Sequence, residues 1–235
     1  VYSYKKGFKN YVFKQKDQYY LVTTRKNKIK SVYATGKKAS VNPVEIGDKA
    51  SNVFEKFSIN PEPTIKVDGK AYELELSDAD MKTQTLIKFN DIYAQIYIDQ
   101  QDNEIVGVRY LDSEALMAFK PYQMITAKED KKVKNNYKEI PYEQNANQLM
   151  TLYEITNEMR ALKDAKTLKV NNDLAHIASY NLYEAIDTDS VEFTEEALKQ
   201  KLDEQNISFV STSQNVGYDF NEVPTLIHSW LNSDI

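Results

Sequence analysis

The chain has 235 residues, of which 41% are hydrophobic and 28% are charged, and its net charge at pH 7 is −5. This composition is typical of a globular protein, and the length suits one large domain or two of ordinary size. The absence of cysteine excludes disulfides, thiolate catalysis and cysteine-ligated zinc, and two histidines supply little for metal binding.

Charge is distributed unevenly along the chain. Residues 1–40 contain eleven Lys and Arg against one acidic residue, Asp17, a balance of +10. Residues 144–235 contain six basic and fifteen acidic residues, a balance of −9. The basic region predicts attraction to an anionic cell-wall polymer or a membrane surface, although a solvated face of a small sheet gives the same pattern.

The first half is predicted to be rich in strands. "NYVFKQ", "QYYLVTT" and "KIKSVYA" are β-prone runs separated by polar turns. "EIGDKASNVFEKF" has a helical period and Asp48 as the predicted N-cap. "IKVDGKAYELEL" predicts a hairpin whose type I′ turn is Asp68-Gly69. "TLIKF", "IYAQIYID" and "EIVGVRYL" are the next predicted strands.

Two segments of this half are similar to each other. "KDQYYLVTTRKNKIKSVY" and "NDIYAQIYIDQQDNEIVGV" share an Asp-led turn, an aromatic strand, a polar turn and an I-x-x-V strand. The pattern favours an internal duplication with an incomplete first copy, and chance similarity between two hairpins is the alternative. The matched pairs are Asp17 and Asp91, Ile29 and Ile105, and Val32 and Val108.

The second half is predicted to be helical. "AKEDKKVKNNYKEIPYEQNANQ" is charged and lacks an apolar period, so residues 124–145 are predicted to form a linker. Helical spacing follows in "LMTLYEITNEMRAL" and "NNDLAHIASYNLYEAI". Thr194 is the predicted N-cap of "EEALKQKLDEQN", which ends at a left-handed Asn206. In "NEVPTLIHSWLNS", Asn221 is the predicted N-cap.

Several motifs of the helical half resemble the CAP superfamily, the cysteine-rich secretory, antigen-5 and pathogenesis-related group. An Asn-x-x-Arg helix, a Leu-Lys-containing turn and a Leu-Ala helix occur in the expected order. "QNVGY" resembles the Glu-Asn-Ile/Leu segment of the family, and "HSWLNSDI" resembles its Trp-x-x-Ser segment. The resemblance covers residues 146–235. The residues that carry the terminal motifs are Asn157, Arg160, Trp230 and Ser233.

The first half resembles the CAP-associated N-terminal domain that precedes many bacterial CAP domains. "IGDKASNVFEKF" and "DIYAQIYIDQQDNEIVGVRYL" fit its second repeat, and the predicted domain spans residues 1–123. Together the two resemblances imply an α+β protein: a duplicated strand-rich domain followed by a CAP α/β/α sandwich truncated at its C-terminus. They also imply export to the surface of a Gram-positive bacterium. Because the chain lacks an initiator Met and a signal sequence, we expect it to be part of a longer protein.

The resemblance also implies a cleft, which many family members line with two His and two Glu and in which some hold a divalent cation. Two of these positions are amides here, Asn181 and Gln214, and the last His would come directly after Ile235. Amides neither titrate nor bind divalent ions well. We therefore predict no catalytic residue, no metal and no cofactor, and we retain Asn181, Gln214 and Asn215 as candidate ligand-binding residues.

The other residues that could take part in catalysis or binding have simpler explanations. His176 is predicted to lie at the surface or a boundary, and His228 is predicted to be structural. Alternating Lys and aromatic residues in "YSYKKGFKNYVFKQK" resemble a nucleic-acid surface, but a basic hairpin face explains them and we predict no nucleic-acid binding.

The predicted function is that of an extracellular or cell-envelope module that binds a small ligand or a protein partner. One alternative is a cell-wall or peptide hydrolase that uses a cleft His beyond residue 235. Another is a structural protein of the envelope whose basic first domain binds an anionic polymer.

Overall fold

A computed structural model describes residues 7–125, 142–184, 192–217 and 220–233, leaving aside the side chains of residues 142–145 and 180–184. The chain forms two compact units. The first comprises Val1–Thr167 and Phe220–Asp234, and the second comprises Leu168–Asp219 with Ile235. The described strands pair antiparallel and the last four described helices follow them in the chain, so the predicted α+β class is confirmed.

The first unit is built on a six-stranded antiparallel sheet. Its strands are β1 (Phe8–Gln15), β2 (Gln18–Arg25), β3 (Lys28–Thr35), β8 (Gln84–Phe89), β9 (Ile92–Asp99) and β10 (Glu104–Asp112). Their order in the sheet is β1-β2-β3-β10-β9-β8. Sequential strands joined by short turns pair as neighbours, as expected for antiparallel meanders.

The sheet consists of two three-stranded meanders, β1–β3 and β8–β10, which correspond to the two predicted repeats. Their third strands, β3 and β10, pair antiparallel at the middle of the sheet. In that pairing Tyr33 lies opposite Arg109, Ala34 opposite Val108, and Val32 opposite Tyr110. Since Val32 and Val108 are matched in the two repeats, Tyr33 and Arg109 are equivalent positions that face each other across an approximate two-fold axis.

Smaller elements cover parts of both faces of this sheet. They are β4 (Ser40–Val41), β5 (Val44–Glu45), α1 (Ala50–Lys56), β6 (Thr64–Val67), β7 (Lys70–Glu75), α2 (Asp78–Thr83), α3 (Ser113–Phe119) and β11 (Gln123–Met124). One core joins α1 to the sheet through Val53, Ile96 and Ile98. A second core joins α3 to β6 and β7 through Leu116, Ile65 and Leu74. Burial of these side chains is the main stabilising contribution here.

Two helices of the C-terminal half belong to the same unit and pack on the face of the sheet opposite to α1. They are α4 (Tyr142–Leu162) and α7 (Val223–Leu231). Helix α4 lies over β2 and β3 of the first meander, helix α7 lies over β9 of the second, and the helices contact each other. Their shared core contains Tyr19, Leu21, Tyr33, Tyr97 and Val106 from the sheet, with Ile155, Met159, Val223 and Ile227 from the helices. Strand alternation explains this division, because neighbouring residues of β9 point to opposite faces.

The second unit contains α5 (Asn172–Glu184) and α6 (Glu195–Glu204). Its core is small and consists of Ile177, Leu198 and Leu202, with Phe193 and Ile207 packed beside them. The predicted linker falls largely on residues 126–141, which lie outside the described residues. The domain boundaries at 123 and 146 therefore stay predictions.

Local signals predicted some turns and caps correctly and others wrongly. The turn at Asp68-Gly69 has φ values of 50° and 77°, as a type I′ turn requires, and Thr194 caps α6 by accepting a hydrogen bond from the Ala197 amide. Asp48 does not cap α1, whose N-cap is Lys49 without a side-chain bond. Asn221 does not cap α7, because Glu222 takes that place and accepts a bond from the Thr225 amide.

Candidate functional site

The predicted cleft residues all belong to the second unit. Asn181 lies in α5, and its side chain is outside the described part of the chain. Gln214 is half-buried and Asn215 is exposed. Their joint role as ligand-binding residues stays a prediction, but the contacts of Gln214 can be given in detail.

The side-chain amide of Gln214 is bonded to the backbone of a single residue. The Phe193 amide donates a hydrogen bond to Gln214 Oε1 at 3.0 Å, and Gln214 Nε2 donates one to the Phe193 carbonyl at 2.5 Å. This paired geometry imitates a step of an antiparallel ladder. It requires a donor and an acceptor on one side chain, which an amide has and an ionised carboxylate lacks. Gln214 therefore fixes the segment before α6 through its neutral amide.

The four motif residues of the family resemblance lie in the first unit, on α4 and around α7. Arg160 Nε donates a hydrogen bond to the Lys166 carbonyl at 2.5 Å, which holds the chain after α4. Ser233 Oγ donates to the Trp230 carbonyl at 2.7 Å and so ends α7. Asn157 is half-buried on α4. The Trp230 indole N–H is buried and has no hydrogen-bond partner among the described residues.

A buried ion pair that the sequence reading missed lies between the sheet and α7. Arg109 of β10 and Glu222 at the start of α7 have side chains that are 2% and 1% exposed. Arg109 Nη1 pairs with Glu222 Oε2, and Nη2 donates to Glu222 Oε1 at 3.2 Å. Nε and Nη2 of Arg109 both donate to Gln95 Oε1, at 3.0 and 2.7 Å, and Nη2 also donates to Thr225 Oγ1 at 3.2 Å. The planar fork of Arg suits such convergent acceptors.

His228 lies beside this ion pair in the same interface. Its ring stacks on Tyr97 with centroids 4.0 Å apart and an interplanar angle of 10°. Its Nε2 is 2.7 Å from Tyr33 Oη in a buried hydrogen bond. Burial, with a smaller contribution from the Arg109 charge, lowers the pKa of His228 to about 3. At neutral pH the imidazole is therefore uncharged and shut off from solvent, which is unsuitable for proton transfer to a ligand.

These buried groups hold α7 in one register on the sheet. A charged guanidinium in the interior is tolerated only when its donors are satisfied, and Glu222, Gln95 and Thr225 satisfy them. The sequence signals were an Arg within the apolar strand "EIVGVRYL" and a Glu before the helical Pro224. Their pairing was not visible locally, because 113 residues separate them.

The described residues show no metal-binding arrangement. Within the ranges that the structure describes, no group of three or more His, Cys, Asp and Glu side chains is placed to hold a metal ion. His176 is exposed on α5, and His228 is buried in the first unit. Among the described helices, none combines the length and the apolar character that a membrane crossing requires.

Comparison with known proteins gives consistent results. Residues 1–122 match the family described as CAP-associated N-terminal. A crystal structure of a cysteine-rich secretory protein from Staphylococcus aureus is similar with 55% identity and a TM-score of 0.87, over 97% of this chain and 76% of that one. An extracellular protein containing an SCP domain from Bacillus anthracis shares the fold at 24% identity and a TM-score of 0.84, over 100% of this chain and 77% of that one.

A relative in Bacillus subtilis is named as the uncharacterized membrane protein YlbC. It is 25% identical over 222 residues, which are 93% of this chain. The chain spans 64% of the length of that relative.

Proposed function

Because the chain belongs to the CAP-associated N-terminal family, we propose that it is an extracellular or cell-envelope module that binds a partner and is not an enzyme. As a bacterial CAP-like protein it is similar to proteins described as secretory and extracellular, and to one described as a membrane protein. An exported protein that stays at the envelope fits these three descriptions. Gram-positive bacteria are the source of all three relatives.

The observation that carries this proposal is the paired hydrogen bonding of Gln214 to Phe193. The family resemblance places an ionisable carboxylate at this position, where it would ligate a cation or transfer a proton. Here the side chain is neutral, and one donor and one acceptor are committed to the backbone. An amide in this state supports structure and ligand orientation but not acid–base chemistry.

The state of His228 supports the same conclusion. Of the two histidines, this one is buried with its pKa lowered to about 3, so it stays neutral and inaccessible. Among the described residues, no observation favours the hydrolase alternative. The second unit retains exposed polar groups, such as Asn215, that could orient a small ligand or a protein partner.

The experiment is to incubate the full chain with purified Gram-positive cell wall. Sedimentation measures how much chain is retained, and assays of free amino groups and reducing ends measure hydrolysis. We expect retention with no release of soluble fragments above the level of buffer alone.

Two results would contradict the proposal. Absence of retention would argue against an envelope-binding module. Release of fragments that is abolished in Gln214→Ala but preserved in the control His176→Ala would establish the hydrolase instead. The control removes an exposed side chain of similar size, and the hydrogen bonds of Gln214 to Phe193 do not involve it.

A further inference from the structure

Two groups can be distinguished among the basic residues in and next to the first meander. Lys14 pairs with Glu154 at 3.0 Å, and Lys37 pairs with Asp164 at 2.5 Å, so part of the N-terminal charge is neutralised within the fold. The other group surrounds the turn between β2 and β3. It lines a groove of about 350 Å³ together with the tip of the β6–β7 hairpin. The lining residues are Arg25, Lys26, Lys28, Lys30, Val67, Asp68 and Glu114.

Two of the four cations in this groove are held in fixed positions. Glu114 accepts from Arg25 at 2.5 Å and from Lys30 at 2.8 Å, and Asp112 accepts from Lys30 at 2.9 Å. These hydrogen bonds raise the pKa of Lys30 and lower that of Glu114, so both groups stay charged. Binding a ligand here would therefore require little reordering of Arg25 or Lys30.

The other two cations have no ion-pair partner among the described residues. Lys26 and Lys28 are exposed and flank Asn27 in the turn. Lys26 and Asn27 have φ values of 50° and 60°, which define a tight hairpin turn and fix where the two Lys side chains start. The groove thus has more cations than carboxylates, although the chain as a whole has a net charge of −5.

We propose that this groove binds a phosphate-bearing linear polymer of the cell envelope. The inference rests on the proposed function, because it names the partner that would hold the module at the envelope. Four cations line the groove against two carboxylates, and this excess of positive charge suits the phosphates of a polyanion. Arg25 can also form paired hydrogen bonds to phosphate oxygens.

The shape and composition of the groove favour this partner over other polyanions. Its lining contains no aromatic side chain, so it lacks the stacking platform that single-stranded nucleic acids use. A concave site fits a flexible chain better than a flat bilayer. Ile29 is the one large apolar side chain exposed beside it in the described turn, which is too little for membrane anchoring.

The test uses the full chain and a synthetic polyglycerol phosphate, with binding measured at several salt concentrations. The groove variant is Lys26→Asn with Lys28→Gln, since Asn tolerates the positive φ of position 26. The matched control is Lys16→Gln with Lys38→Gln, which removes the same charge from exposed residues. Lys16 and Lys26 flank the eight-residue strand β2 and are about 25 Å apart along it.

We expect the groove variant to bind at least about tenfold more weakly than the unmodified chain. The salt dependence, as the slope of log K against log salt, should fall by about 1 to 2, one unit or less for each lost phosphate contact. The control variant should keep both values. Single-stranded DNA of equal charge and phosphatidylglycerol vesicles should bind more weakly than the polymer.

The outcomes separate the two proposals. If the unmodified chain is retained by cell wall but the groove variant binds polymer as well as the control, the groove assignment is wrong and the proposed function stands. Equal losses in both variants would show a non-specific charge effect and also overturn the groove. Stronger binding to DNA or vesicles would replace the polymer with that partner. If the unmodified chain is not retained by cell wall, the proposed function is wrong, and the groove assignment that rests on it is wrong as well.

Discussion

The Arg109 side chain is a buried charge, and its hydrogen-bond donors find acceptors in two segments of the chain. Gln95 and Glu222 supply most of the acceptors, and the guanidinium also lies 4.8 Å from the ring centroid of Phe119. A buried charge is expensive without its partner, whereas the intact pair contributes little beyond an apolar pair of the same size. Arg109 therefore restricts α7 to packing arrangements in which Glu222 reaches the guanidinium.

Removing Glu222 should be strongly destabilising. We expect Glu222→Ala to lower the free energy of unfolding by about 3–5 kcal/mol, because the Arg109 guanidinium stays buried and loses its counterion. In the Glu222→Gln variant, the additional change Arg109→Met should restore more than half of the unfolding free energy that Glu222→Gln alone loses. Chemical denaturation measures both changes.

An exposed ion pair of the same unit provides the control. Lys37 and Asp164 pair at 2.5 Å with side chains that are 42% and 86% exposed, so Lys37→Ala should cost less than about 1 kcal/mol. If Glu222→Ala costs no more than Lys37→Ala, or if the double variant shows the sum of the single losses, Arg109 and Glu222 are not coupled.

His228 should make stability depend on pH. Its pKa is about 3 in the folded chain and about 6.5 when unfolded, so the unfolded state binds more protons between these values. The contribution of a neutral His228 to the free energy of unfolding is fully present above about pH 6.5. It falls as the pH decreases towards 3, by about 1.4 kcal/mol per pH unit well below pH 6.5. We expect denaturation curves at pH 7.5 and pH 5 to show this loss.

The variant His228→Phe isolates this contribution from that of the carboxylates. It keeps an aromatic ring against Tyr97 but cannot be protonated, so the difference between its stabilities at pH 7.5 and pH 5 should be smaller than in the unmodified chain. An unchanged difference would show that His228 does not titrate on unfolding in this range. A lower stability at both pH values is expected, because Tyr33 Oη loses its partner.

At the scale of elements, close approach between β10 and α7 depends on one glycine. Gly107 lies at a register shift in the β9–β10 pairing. A Cβ atom there would come within 3.0 Å of His228 Nε2 and 3.1 Å of Tyr33 Oη. Without that side chain, the helix can rest on the strand and the imidazole can reach the phenol.

Filling this position should disturb the packing of α7. We expect Gly107→Ala to cost about 1–3 kcal/mol of unfolding free energy, since the His228 and Tyr33 contacts must shift. In a His228→Ala background the same change should cost much less, because the space is vacant. A double-mutant cycle measures the coupling. An equal cost in both backgrounds would show that the effect comes from the strand alone.

The elements that the sequence predicted well are those that local chemistry determines. The Asp68-Gly69 turn, the Thr194 cap and the left-handed Asn206 each depend on a few adjacent residues. At the N-terminus of α7, a residue held by a contact distant in the sequence takes the place of the predicted N-cap. Asn221 suits a cap, but Glu222 takes that position and is held there by Arg109, far away in the chain.

The candidate site shows the same limit. Gln214 was predicted from the resemblance to be a neutral substitute in a family position, and this stays a prediction. Its bonds to Phe193 join residues 21 apart and needed the three-dimensional structure. Gln95, Arg109 and Thr225 had no motif at all, because their role arises where β9, β10 and α7 meet.

At the scale of the whole molecule, some of the opposite charges of the two chain halves form ion pairs with each other within the first unit. Lys14 pairs with Glu154 and Lys37 with Asp164, each joining the first meander to α4 or the residues after it. Such exposed pairs contribute little stability and are screened by salt. In the groove, Lys26 and Lys28 have no ion pair among the described residues, and we therefore expect the binding of an anionic envelope partner there to weaken with salt.

The measurement that tests the proposed non-catalytic role most directly is calorimetric titration of the full chain with zinc, magnesium and calcium. We expect no stoichiometric tight binding of any of the three ions, because Gln214 presents a neutral amide bonded to the Phe193 backbone. Tight one-to-one binding that Gln214→Ala or Asn181→Ala abolishes would contradict this role and would place a metal site in the second unit.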